Sequence, residues 1–239
     1  AEQEVDCMRV TKKIREEQLA ILEETYRGAK PELIFHNPFE LLIAVILSAQ
    51  CTDKRVNVTT KRLFSKVKSP EDIMAMGLAA LENEIRDCGL FRNKAKNILA
   101  ACQMLCTEFG GQVPDDFDAL QRLPGVGRKT ANVVMSVAFH HPAIAVDTHV
   151  FRIANRLQLA TGTTPLAVEQ GLMKNIPKEK WSDAHHWLIW HPPVTSARSR
   201  PSARAQSRSP AATPRPSKGE RIWSTGRQPL PILRRYTIS

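Results

Sequence analysis

The 239-residue chain has no cysteine after Cys106, no apolar run long enough to cross a bilayer, no stretch that reads as a secretory leader and no strand-like alternation of apolar and polar residues. Each absence excludes something. The five cysteines, Cys7, Cys51, Cys88, Cys102 and Cys106, are odd in number and lack the spacing of a secreted disulfide framework. A reducing, cytoplasmic setting is therefore expected. Cys102 and Cys106 stand four apart on one helical face, but no histidine or second cysteine pair accompanies them. They read as packed thiols rather than metal ligands. The most apolar segment, Phe39 to Leu47, falls far short of the roughly 20 residues a membrane helix needs. Short helices joined by short turns leave no room for a sheet, and the expected fold is all-α.

Positive charge is abundant but unevenly placed. The formal net charge is +10, yet residues 192–239 hold ten of the 34 Lys and Arg and only one of the 24 acidic residues. The other 24 basic and 23 acidic residues leave 1–191 close to neutral. Overall charge thus says little about that larger part. The tail also carries eight of the 16 prolines and eight serines without periodicity. It is expected to be disordered or loosely attached.

Apolar spacing and breakers give the order of helices. The first runs from about Thr11 to Tyr26, with Ile14, Leu19, Ile21 and Leu22 on its apolar side. Asn37-Pro38 and Ser69-Pro70 each set a capping side chain before a proline at the first helical position, a strong start signal. The helix after Asn37 is apolar nearly all round and reads as buried and central. Further helices are expected over Lys54 to Val67 with Asp53 as cap, Leu78 to Cys88, Asn93 to Phe109, Asp116 to Arg122 and Arg128 to Phe139. Three more follow: one capped by Asp147 and ending near Leu159, one from Thr164-Pro165 to about Ile176, and one over Lys178 to His191.

The chain is organised around Leu123-Pro124-Gly125-Val126-Gly127-Arg128-Lys129-Thr130-Ala131-Asn132. Pro124 fixes its own φ and pushes Leu123 out of the helical region, while two glycines spaced two apart permit a tight reversal. The expected result is helix, hairpin, helix. Glycine also lets a phosphate approach the backbone, where the hairpin amides and the first turn of the second helix face the anion. By itself such a G-x-G fits a plain connection between packed helices equally well. The longer string, followed by Val146-Asp147-Thr148-His149-Val150-Phe151-Arg152, resembles the endonuclease III family of DNA glycosylases with lyase activity. The likeness runs from about residue 11 to 191 and includes the family's separation of 18 residues between its lysine and its aspartate, here Lys129 and Asp147.

This resemblance implies a fold of two helical domains. One, at about 29–141, is a six-helix bundle that includes the helix-hairpin-helix at about 116–139. The other combines 1–28 with 142–191, so that Lys129 and Asp147 face each other across the junction. It also implies a base-excision repair enzyme that removes oxidised pyrimidines and nicks the strand, acting as a monomer on double-stranded DNA with damaged bases or abasic sites, with no membrane partner. Lys129 corresponds to the nucleophile, and the positive end of its helix disfavours a second positive charge. Asp147 corresponds to the carboxylate that stabilises cationic character at the sugar, and it is also placed to cap its helix. Gln50 and Leu90 match the residues that fill the duplex when a nucleotide is extruded, although a polar helix end and a core leucine are the plainer readings. Leu123, Gly125, Val126, Gly127, Arg128 and Thr130 form the hairpin surface toward DNA, with Arg128 expected to meet phosphate.

Two rival functions remain at this point. A glycosylase without lyase activity would lack the lysine and would carry Glu where this chain has Ala44, and a non-catalytic helix-hairpin-helix protein would bind DNA only. Departure from the family comes after His191, where relatives carry four cysteines that hold a [4Fe-4S] cluster. Those ligands are absent here, so no cofactor is expected. The abrupt change suggests a shift of reading frame in the coding DNA just after His191, with a lineage-specific tail as the alternative.

Overall fold

The computed structural model describes residues 10–192, and among them every regular element is helical. The tail from 193 onward and Cys7 lie outside the described residues. The helices are α1 (Lys12–Thr25), α2 (Pro38–Ser48), α3 (Asp53–Leu63), α4 (Pro70–Glu84), α5 (Phe91–Glu108), α6 (Phe117–Arg122), α7 (Arg128–Val137), α8 (Thr148–Leu157), α9 (Pro165–Asn175) and α10 (Trp181–Trp190). A single 3-10 turn, Lys178–Lys180, precedes α10. The all-helical expectation therefore holds for the described residues.

Most starts follow from side-chain caps. Thr11, Asn37, Asp116, Asp147 and Thr164 each accept a bond from the amide three residues on, and Ser69 forms a reciprocal box with Asp72. Four helices begin differently. Thr52, Leu90, Gly127 and Lys180, which precede α3, α5, α7 and α10, supply no side-chain cap bond. The cap expected from Asp53 is thus corrected: Asp53 is already helical, and Thr52 stands before it. The expected break between Ser69 and Leu78 is real, since Gly77 sits at φ 76° inside α4 and kinks it.

Buried side chains fall into two clusters. The first gathers α2 to α7, with Leu42, Ile43, Leu47, Ile73, Leu81, Ile98 and Leu105 fully buried. Every residue of α2 from Phe39 to Leu47 is buried, as α3, α5 and α7 all pack on it. Each such aliphatic side chain contributes about 1.5–3 kcal/mol on removal from water. The end of α2 is tied down by Lys94, whose buried ammonium donates to the Leu47 carbonyl at 2.8 Å. Burial pushes that ammonium's pKa down.

The second cluster joins Leu19 and Leu22 of α1 to Ile144, Val150, Leu157, Val168, Leu172 and Trp187. Helix α1 docks on α10, far away in sequence. Gln18 Nε2 donates to the Leu157 carbonyl at 3.0 Å, and Lys180 pairs with Glu23 at 2.7 Å. No helix among the described residues is long and apolar enough to span a membrane.

Candidate active site

The hairpin between α6 and α7 is closed by the Val126 amide donating to the Leu123 carbonyl at 3.0 Å. Leu123 and Val126 turn their side chains into the first core, so their side chains serve the fold and are not free to meet DNA. Gly125 has φ 82°, and a Cβ there would come within 2.9 Å of Asn97 on α5. Conformation and packing both demand glycine at that position. Gly127 differs from the expectation of positive φ. It is extended at φ −92°, and a Cβ would meet no atom within 4 Å. The open face above Gly127 leads onto the first turn of α7, whose amides at Arg128, Lys129 and Thr130 have no acceptor within the helix. Such a turn attracts anions.

Lys129 is exposed on that first turn. Asp147 ends the extended connector from 143 to 146 and is half-buried. Its Oδ1 accepts from the Val150 amide at 2.8 Å, which fixes the carboxylate at the start of α8. The connector itself is held to α7 by Asn132, whose Nδ2 donates to the Ile144 carbonyl at 3.2 Å. Asn132 lies one turn after Lys129, so the helix that carries the amine also anchors the strand of chain that delivers the carboxylate.

His185 of α10 completes the setting. It is only 3% exposed, and burial pushes its pKa down to about 3. His186 adds to that shift, Asp147 opposes it and Lys129 reinforces it. Both proposed reacting groups therefore lie within electrostatic reach of one neutral imidazole, whose Nδ1 has no hydrogen-bond partner. Half-buried Asp53 stands near the same amine: burial raises its carboxyl pKa, and the Lys129 charge works against that rise.

Gln50 and Leu90 share an uncommon backbone. Their φ values are 53° and 57°, left-handed for residues that are not glycine. Such conformations are strained and persist where surrounding structure enforces them. Both residues are exposed, Leu90 at 58%, so Leu90 is no core leucine. Gly89 keeps the two turns together, since a Cβ on it would press to 3.2 Å from the Gln50 carbonyl. Three of the four helix starts without side-chain caps are thus the hairpin turn and these two turns. Arg128 is committed elsewhere: its Nε and Nη2 both bond the Glu169 carboxylate.

Sequence reasoning gave no role to Asn132, Glu169 and His185. Asn132 stood inside the quoted motif. Nothing local marked the other two, because their partners lie 40 or so residues away and burial cannot be read from the chain.

Residues 43–178 match the HhH-GPD superfamily of base excision DNA repair proteins. Endonuclease III of Bacillus subtilis (strain 168) is 56% identical over 168 residues, covering 70% of this chain and 77% of that protein. A trapped covalent intermediate of endonuclease III with DNA superposes with TM-score 0.73 at 54% identity, covering 75% of this chain and 84% of the other. A non-covalent endonuclease III–DNA complex gives TM-score 0.75 at 51% identity, covering 79% and 90%. These relatives overturn the expectation of no cofactor, because endonuclease III proteins carry a [4Fe-4S] cluster. The described residues of this chain do not fit one. No group of three or more His, Cys, Asp or Glu among them could hold a metal. The described cysteines are free, and burial pushes the Cys102 thiol up to about 12, away from the thiolate a cluster needs. No step below runs through a cluster. By its matching family model, its sequence identity and its fold, the chain belongs to the endonuclease III family within the HhH-GPD superfamily.

Proposed function

We propose that this chain is a bifunctional DNA N-glycosylase and apurinic/apyrimidinic lyase of base excision repair, with Lys129 as its nucleophile. Its partner is double-stranded DNA carrying oxidised pyrimidines or abasic sites, met by a monomer in the cytoplasm. An amine on a helix turn without a side-chain cap and a carboxylate fixed at the start of α8, both within electrostatic reach of His185, support the reading. A relative of the same family trapped as a covalent intermediate with DNA supports it.

A stacked nucleotide hides its C1′, so it must leave the duplex first. Exposed Gln50 and Leu90, on turns already bent outward, are suited to fill the space it vacates. The amides of Gly125, Gly127 and Arg128 to Thr130 hold the backbone phosphates, while that of Val126 closes the hairpin. Unprotonated Lys129 Nζ then bonds to C1′ while the glycosidic bond breaks and its electron pair departs with the base, which takes up a proton. Opening of the sugar ring and loss of the amine protons yield an imine. Removal of a C2′ proton next drives cleavage of the bond from C3′ to its oxygen, which releases the 3′ phosphate and nicks the strand. Asp147 opposes the positive charge that develops at the sugar. Among the described residues, the two buried clusters support a division into 29–141 and 1–28 with 142–191, in which this chemistry lies at the junction.

Borohydride reduction on an abasic duplex tests the reading, since only an imine is captured. Wild type should become covalently attached to DNA, and Lys129→Ala should not. Equal capture by the variant would remove Lys129 from the mechanism, and no capture by either would leave a DNA-binding protein without lyase chemistry.

A further inference from the structure

Arg128 and Lys129 are neighbours on α7, and a helix turns about 100° per residue, so their side chains diverge. Lys129 faces the site. Arg128 reaches to α9, where Nε meets both oxygens of Glu169 at 3.1 and 3.0 Å and Nη2 meets Oε1 at 2.6 Å. This is the two-pronged fit of guanidinium to carboxylate. The Glu169 side chain is only 6% exposed, and a buried carboxylate persists only with its charge answered. The same guanidinium lies 5.1 Å from the centre of the Phe117 ring on α6. One side chain therefore joins both helices of the hairpin to α9.

Path and packing give that bond a consequence. After α7 the chain runs through the connector to Asp147, forms α8 and returns in α9, which packs on α8. The Arg128–Glu169 bond closes this circuit one residue from the amine. Asn132 and Ile144 close it a second time on the other side. We propose that Arg128 and Glu169 are a positioning pair that sets the separation of Lys129 from Asp147, and that Arg128 does not act chiefly as a phosphate contact. With Nε and one hydrogen of Nη2 on Glu169, the two hydrogens of Nη1 and the second of Nη2 remain for other partners. The proposal rests on the lysine mechanism above, and wild-type capture in the same experiment keeps the two separable.

The test uses the full chain with Glu169→Gln and Arg128→Lys, each compared with wild type in two measurements. One is the rate of borohydride capture at saturating abasic duplex. The other is equilibrium affinity for a duplex containing a tetrahydrofuran abasic analogue, across a range of salt. Misplacing reacting groups by about 1 Å can cost on the order of a hundredfold in rate. Glu169→Gln keeps the shape of the side chain and should lower the capture rate about tenfold or more, with affinity within about twofold and an unchanged salt slope. Arg128→Lys, which cannot fork, should do the same. The double variant should be no slower than the slower single one, because both remove one interaction. A capture rate for Glu169→Gln within twofold of wild type overturns the proposal. So does an Arg128→Lys variant that loses affinity and salt slope while its saturated rate is intact, the pattern of a phosphate contact. Circular dichroism identifies a variant that fails to fold; Arg128→Lys, which leaves a cation beside Glu169, then decides alone.

Discussion

The two buried clusters differ in how they treat polar groups. In the first, Glu40 meets His36, Lys94 meets the Leu47 carbonyl and Cys88 meets Thr59, and of the buried side chains on its helices Ser136 Oγ on α7 is left without a partner. In the second, Gln18 Oε1, His185 Nδ1 and His191 Nε2 are buried without hydrogen bonds. Unpaired buried groups cost about 1–3 kcal/mol each. The first cluster is a rigid frame that carries the hairpin. The second holds Asp147 beside groups that would rather be in water. On the proposed function, the amine comes from the first side and the carboxylate from the second.

That contrast can be broken or sharpened in four ways. The largest effect is expected from Leu42→Ala in α2, fully buried in the first cluster; a loss of about 3–5 kcal/mol in denaturant unfolding should follow. A loss below about 1 kcal/mol would mean that the frame is not close-packed.

Acid should act on the second cluster. Folded His185 stays neutral down to about 3, while the unfolded chain takes up a proton below its ordinary value of about 6.5. Its contribution to stability is therefore complete above pH 6.5 and falls steadily as pH drops toward 3. Between pH 7 and 5 this amounts to about 2 kcal/mol. Burial lowers His191 in the same direction. Three of the four tryptophans, Trp181, Trp187 and Trp190, lie in α10, so the change in tryptophan emission reports chiefly on this cluster. Its urea midpoint should fall on acidification, and His185→Leu should remove most of that fall. A midpoint independent of pH would sink the idea.

Smaller effects test the junction. Gly127→Ala meets open space at an ordinary φ, so its unfolding midpoint should match wild type. Its affinity for an abasic duplex should drop about tenfold, or roughly 1.4 kcal/mol, as the methyl holds phosphate off the amides. His140, on the connector between the clusters, has φ 58°. His140→Gly should relieve that conformation and gain about 0.5–1 kcal/mol, read as a higher melting temperature.

Much of the frame was legible in the chain. Asn37-Pro38, Ser69-Pro70 and Thr164-Pro165 each open a helix because proline and a capping oxygen act locally. Thr52 misled, because Asp53 looked the better cap, yet the chain enters α3 from a strained turn that needs none. Lys129 and Asp147 stood out through their spacing and motif. Arg128 was read as a phosphate contact because Glu169, 41 residues later, cannot be paired with it from composition or periodicity. His185 stayed hidden because its meaning lies in burial. Long-range pairing and desolvation arise only once the chain has folded.

The backward bends at Gln50 and Leu90 exist before any duplex arrives. On the proposed reading, in which these side chains enter the duplex, both turns already hold their bend, and the tension in them is borne by the folded protein. Association is then expected to be governed by diffusion and charge, with the swing of the nucleotide as the slow event.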